Sequence, residues 1–127
     1  MTEQEVQDWL NAYGAAWIEG DPDAIVVLFT PAATYRETPF DEVMSGRDEI
    51  RAYWQEGAAD GQQDLRFSSQ VWAVSDRTAV AGWQAGFTRR KTGAKVDLDG
   101  TFRLEFDVQD GNLLCSRLEE WWHRKES

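Results

Sequence analysis

Apolar and polar positions follow a helical period in the first half of the chain and a strand period in the second. Thr2-Glu3-Gln4-Glu5 has the form of a capping box, with Thr2 as N-cap and Glu5 reaching back. Val6, Trp9, Leu10, Tyr13, Ala16 and Trp17 then recur at helical spacing, and Gly20 ends the helix. Asp21 as cap and Pro22 at the first helical position open a second, apolar helix over Ala24–Phe29, closed by Pro31. Ala33–Thr38 reads as a short strand with Tyr35 and Glu37 on one face and Thr34 and Arg36 on the other. After a loop over Pro39–Ser45, the stripe Ile50, Tyr53, Trp54 and Gly57 predicts a third helix from Arg47 to about Ala59.

Beyond this point the period falls to two. Strands are expected at about Asp64–Val74, Thr78–Arg90, Lys95–Asp107 and Asn112–Trp122, joined by hairpin turns at 75–77, 91–94 and 109–111. In the third of these, Val96, Leu98, Phe102, Leu104 and Phe106 share one face with Gly100. In the last, parity groups Ser116, Leu118, Glu120 and Trp122, and sends Arg117, Glu119, Trp121 and His123 to the other side. A one-residue slip would exchange Glu119 and Glu120. The order predicts an α+β fold formed as one domain over residues 1–127. Three N-terminal helices, with Trp17 and Phe29 buried, cover the concave side of a strongly curved, mainly antiparallel sheet. Gly82, Gly86 and Gly100 mark bends within its strands. Such a sheet leaves a cavity at its open end.

A chain of 127 residues fits one domain, and 42% hydrophobic residues suffice for a real core. The net charge of −10 argues against a nucleic-acid partner; the one basic run, Arg89-Arg90-Lys91, reads as a solvated hairpin tip. No apolar run reaches the ~20 residues of a membrane span. The acidic N-terminus is unlike a signal peptide, and the single cysteine, Cys115, forms no internal disulfide, so a cytoplasmic location is expected. One histidine, His123, and no cluster of ligands at metal spacing predict no metal. Glycine-rich phosphate loops, Ser/His/Asp sets and CxxC pairs are absent.

Aromatic side chains are abundant enough to wall a pocket for a small planar hydrophobic ligand as well as to fill a core. Trp17, Tyr35, Trp54, Trp83, Phe102, Leu118 and Trp122 are the candidates for that wall. The candidates for chemistry are Tyr13, Glu37 and Glu120. Each has a plainer reading: Tyr13 as core packing, Glu37 as a solvated or arginine-paired acid, Glu120 as an outward-facing one. No Lys or Arg is in phase with Glu37 on its strand, so burial should raise its pKa above the ordinary glutamate value.

Tyr13-Gly14-Ala15-Ala16-Trp17-Ile18-Glu19-Gly20-Asp21, Ile25-Val26-Val27-Leu28-Phe29, Ala33-Thr34-Tyr35 and Gly46-Arg47-Asp48-Glu49-Ile50-Arg51-Ala52-Tyr53-Trp54, in this order, resemble the nuclear transport factor 2-like superfamily. Its members include SnoaL-like polyketide cyclases and ketosteroid isomerases. The resemblance covers nearly the whole chain. It implies a cone-shaped, cystatin-like roll with an apolar pocket, a homodimer through the convex sheet face, and chemistry without cofactor or metal. It also implies an oxyanion-donating tyrosine at Tyr13 and a carboxylate base at Glu37. Two departures stand out. Thr38 separates Glu37 from Pro39, and the second acid of the isomerases falls at Gly100, with Asp99 beside it on the outer face. Glu120 then becomes the alternative second acid. The Asp/Arg/Asp set of epoxide hydrolases with this fold is not reproduced, because parity places Arg103 outside. The expected function is binding of a small hydrophobic molecule with acid/base chemistry of the isomerase, cyclase, lyase or hydratase type. A non-catalytic binding or interaction domain remains the alternative.

Overall fold

A computed structural model describes all residues, 1–127. The elements are α1 (Glu3–Glu19), α2 (Pro22–Val26), β1 (Phe29–Arg36), β2 (Met44–Ser45), α3 (Gly46–Trp54), a π-helical turn (Gln55–Ala59), β3 (Gln62–Ser75), β4 (Thr78–Arg89), β5 (Lys95–Gln109) and β6 (Asn112–Glu126). The capping box forms: Thr2 N donates to Glu5 Oε1 at 2.9 Å, and Glu5 N donates to Thr2 Oγ1 at 3.1 Å. Gly20 closes α1 at φ 65°, a left-handed conformation that glycine adopts without strain.

One six-stranded sheet runs β2-β1-β6-β5-β4-β3. The three long hairpin contacts are antiparallel, whereas β1 lies parallel to β6. The helices cover its concave face. Val6, Leu10, Tyr13 and Trp17 of α1 join Phe29, Phe102, Leu104, Phe106 and Leu118 in a single buried cluster. Fully buried side chains of this size contribute about 1.5–3 kcal/mol each. Trp17 and Phe29 are both buried, as their place in the pattern predicts.

Five local readings of the sequence need correction. Phe29 belongs to β1 and not to the second helix; β1 starts four residues earlier than expected and carries Pro31 where its pairing with β6 shifts register, so no ladder bond is lost there. Glu37 lies one residue beyond β1. The loop after it contains β2, which pairs with Thr34 and Tyr35. The third helix is α-helical only to Trp54 and widens into the π-turn, whose Ala58 is buried.

The fifth correction concerns β6. Register shifts between Glu105 and Phe106, so that Arg117 faces Glu105 while Cys115 faces Phe106. Ser116 is the extra residue of a bulge and donates its hydroxyl to Glu105 O at 3.2 Å. Cys115 therefore turns into the core, and burial pushes its thiol pKa far up. Leu118, Glu120 and Trp122 keep the inner face; Ser116 does not.

Candidate functional site

The open end of the roll holds a cavity of about 240 Å³. Tyr13 and Trp17 of α1 form one wall, Tyr53 and Trp54 of α3 another, and Trp83, Glu120 and Trp122 the sheet floor. Tyr35 and Glu37 enter from β1 and the residue following it. Arg89 and Arg124 stand at the open end, beside Phe87, Val96 and Leu98. Trp17 is held by its Nε1 donating to Gln62 Oε1 at 2.8 Å.

A chain of hydroxyls ends on a carboxyl. Tyr35 Oη donates to Glu120 Oε1 at 2.8 Å, and the Tyr13 hydroxyl is 3.0 Å from that of Tyr35. All three groups are buried. With Tyr35 donating to the carboxyl, Tyr13 donates to Tyr35. Burial raises both tyrosines well above their ordinary pKa, with the nearby Glu120 adding to the effect, so both keep their protons.

Glu120 and its neighbour Glu119 show how strand parity separates two identical side chains. On the inner face, burial pushes the Glu120 carboxyl up to about 8; the Tyr35 hydroxyl opposes the rise and the charge of Glu37 adds to it. On the outer face Glu119 is just as buried, but Arg117, Arg103 and Arg36 surround it. Burial raises its pKa, and the three guanidinium groups outweigh that and hold it below the ordinary value.

Glu37 is the second acid of the cavity. Its carbonyl accepts from Trp122 Nε1 at 3.0 Å, which fixes the chain just past β1. Its side chain is half-buried. Burial raises its pKa, the Tyr53 hydroxyl lowers it, and Asp41 raises it again, for a net rise. Neither Glu37 nor Glu120 belongs to any ion pair. Arg36 turns away to Glu119.

Most residues singled out from the sequence therefore meet here: Tyr13, Glu37 and Glu120, with Trp17, Tyr35, Trp54, Trp83 and Trp122 around them. Two do not reach the cavity. Phe102 is fully buried beneath Trp83, whose ring stacks on it at 5.2 Å, and Tyr13 covers its edge at 5.5 Å. Leu118 is fully buried two residues deeper along β6 than Glu120. Tyr35 was a candidate wall residue, yet its hydroxyl links Tyr13 to Glu120. Sequence reasoning placed Tyr53 on the helical stripe without seeing that it faces Glu37. It also missed Arg89 and Arg124; their signal is strand parity, which puts Arg89 in phase with Trp83 and Phe87, and Arg124 with Glu120 and Trp122.

The glycine at the second-acid position has a physical reason. A Cβ on Gly100 would lie 2.6 Å from Cε2 and Cζ2 of Trp83, so the indole occupies the space a side chain would need. The carboxyl group that does line the cavity from the sheet is that of Glu120, on the neighbouring strand opposite Phe102. The indole N–H groups of Trp54 and Trp83 are buried without an acceptor in the protein. No three His, Cys, Asp or Glu side chains come together in a metal-binding group.

A wider depression, about 540 Å³, lies over the outer face. It is an open trough of paired polar side chains, with Arg66 on Asp97 at 3.4 Å and Gln84 on Asp99 at 3.2 Å. The smaller inner cavity is the one that holds buried, unpaired acids.

Comparison with known proteins agrees with the fold. A candidate scytalone dehydratase from Novosphingobium aromaticivorans superposes with a TM-score of 0.85 at 16% identity, covering 98% of this chain and 86% of that one. The type 2 hexachlorocyclohexane dehydrochlorinase LinA gives 0.81 at 8% identity, covering 98% and 87%. SalBIII, an epoxide hydrolase/cyclase-like enzyme of pyran ring formation in salinomycin, gives 0.76 at 21% identity, covering 95% and 92%. At these identities the likeness establishes the fold, the nuclear transport factor 2-like cone, and nothing of the chemistry. No curated protein matches the sequence. No helix is long and apolar enough to cross a membrane. The SnoaL-like domain model matches residues 7–114, and the chain belongs to that family.

Proposed function

We propose that this protein is a cofactor-independent acid/base catalyst acting on a small, largely apolar carbonyl compound, with Glu37 as base and Glu120 as acid. The observation that carries the reading is a pair of carboxyl groups in one cavity with different environments. Glu120 is sealed and burial pushes its pKa up to about 8, which favours the protonated form at neutral pH. Glu37 is half-exposed and only raised, which leaves it the better base. Glu37 takes a proton from the carbon next to the substrate carbonyl. The electron pair moves to the carbonyl oxygen, where protonated Glu120 donates a hydrogen bond. Tyr35, backed by Tyr13, orients Glu120 and stabilises its anion. The enolate then regains a proton elsewhere, expels a leaving group from the β-carbon, or attacks an internal electrophile. These outcomes are isomerisation, elimination and cyclisation. Structures of the same fold bear the names of a dehydrochlorinase, a dehydratase and a cyclase-like enzyme, which is consistent with this range.

The cavity limits the substrate. Its volume equals about eight water molecules at ~30 Å³ each and falls below the ~300–1,000 Å³ of common ligand pockets. One or two rings fit inside it, and a larger ligand would extend through the open end.

The test is deuterium exchange into 2-tetralone, followed by NMR in D2O. Wild-type protein should accelerate exchange at the positions beside the carbonyl, and Glu37→Gln should slow it about 100-fold or more. Equal rates in the two proteins would remove Glu37 from the chemistry. If the Glu37→Gln variant still binds the ketone and wild type exchanges nothing, the cavity is a binding site only.

A homodimer through the convex face forms part of the same proposal. Trp72 and Trp121 remain 56% and 41% exposed there, and Gly82, over which Trp72 lies, aligns across the strands with Thr101 and Trp121. Exposed tryptophans in a row suit an interface core. A light-scattering mass of one chain at micromolar concentration would refute it.

A further inference from the structure

In a protein of net charge −10, six of the thirteen cationic residues gather at one end of the sheet, the end where the cavity opens: Arg89, Arg90, Lys91, Lys95, Arg124 and Lys125. Two of them, Arg89 and Arg124, are on the inner face and line the cavity. We infer that the ligand is a small carboxylate, with its charged group held by Arg124 and Arg89 at the mouth and its apolar body inside. The inference rests on the acid/base reading above and adds the chemical class of the substrate.

The geometry of the two arginines carries it. Glu126 is the acid that faces them. It forks onto Arg89, accepting from Nε at 3.2 Å and Nη2 at 3.1 Å. Arg124 is left with a single 3.9 Å contact from Nε to the same carboxylate. Its remaining guanidinium donors are free, and half of the side chain is exposed. A planar fork of this kind matches a carboxylate in two-point contact. Arg89 is also steadied by the Phe87 ring, 5.7 Å from its guanidinium carbon.

Distance fits the same picture. Arg124 follows Glu120 by four residues on the inner face of β6, about 13 Å along the strand. Both residues line the cavity. A ligand with one ring, a carbonyl and a short acidic arm bridges it. The arm places the negative charge at the mouth, away from Glu37 and Glu120 inside. The remaining basic residues at this end, Arg90, Lys91, Lys95 and Lys125, stand among the acids Asp97 and Glu126 and add cationic groups around the opening of a protein that is acidic overall.

The experiment compares two probes of nearly equal shape, 4-oxo-4-phenylbutanoate and its uncharged primary amide. Binding is read by quenching of the cavity tryptophans at low ionic strength. The carboxylate should bind about tenfold more tightly than the amide or better. Addition of about 0.5 M NaCl to the wild-type protein should shrink the ratio, since the Debye length falls to a few ångströms. Arg124→Gln should bring it below about threefold, because the carboxylate loses more affinity than the amide. Equal binding of the two probes by wild type overturns the inference and leaves the acid/base reading standing. So does a preference that survives both high salt and an Arg89→Gln/Arg124→Gln double variant. If neither probe quenches, the inference falls, and exchange into 2-tetralone decides the reading beneath it separately.

Discussion

Glu120→Gln should change how stability depends on pH more than it changes stability itself. Folding moves this carboxyl from an ordinary pKa of 4.5 to about 8. Between those values the folded protein holds a proton that the unfolded chain has released. Stability therefore falls as pH rises through this window, and levels off above about 8. At 1.36 kcal/mol per pH unit the whole shift corresponds to about 5 kcal/mol, of which about 4 lies between pH 5 and pH 9. That is a large share of the ~5–15 kcal/mol that holds a domain of this kind together. Glutamine keeps the volume, accepts from the Tyr35 hydroxyl through its oxygen, and cannot ionise. Urea unfolding followed by tryptophan fluorescence at pH 5, 7 and 9 gives both stabilities. The variant should gain on wild type by about 4 kcal/mol from pH 5 to pH 9. A difference that stays constant within about 0.5 kcal/mol, or that shrinks with pH, would show that Glu120 is already charged in the folded protein and would remove it as the acid.

Further outcomes follow from the same contacts. Activity should be bell-shaped in pH, with the acid limb above 4.5 set by Glu37 and the alkaline limb near 8 set by Glu120; a profile still rising at pH 9 would contradict the assignment. Because the Tyr35 hydroxyl lowers the Glu120 pKa, Tyr35→Phe should move the alkaline limb upward and cost about 1–3 kcal/mol of stability. Gly100→Ala pushes a methyl group into Trp83, and should cost about 1–3 kcal/mol and alter the near-ultraviolet circular dichroism of that indole.

The periods of 3.6 and 2 made the architecture legible. A capping box at Thr2, glycine at 20 and the Asp-Pro start at 21 located α1 and α2 because they act locally. Errors arose where tertiary pairing overrode a local signal. Pro31 reads as a helix stop, but its strand begins at Phe29 because the pairing with β6 is broken around it. Ser116 shares the parity of Leu118 and Glu120, yet one bulged residue exchanges it with Cys115. For the site, period two brought Tyr35 to the cavity and Glu120 inside, while the choice between Glu119 and Glu120 needed the register of β5 against β6. Phe102 and Leu118 have the right parity but lie too deep, and depth along a strand leaves no mark in its alternation. Tyr53 sits on a helix apart from Glu37, and only the folded chain sets the two together, whereas Arg124 shares its strand and its parity with Glu120.

The central claim is that two carboxyl groups share one cavity with separated titrations. Its most direct test is the pH titration of the Glu120 side-chain carboxyl carbon by NMR, assigned by comparison with Glu120→Gln, alongside that of Glu37. The account predicts a Glu120 midpoint near 8 and a Glu37 midpoint lower but above 4.5. A Glu120 midpoint at or below 4.5 would contradict it.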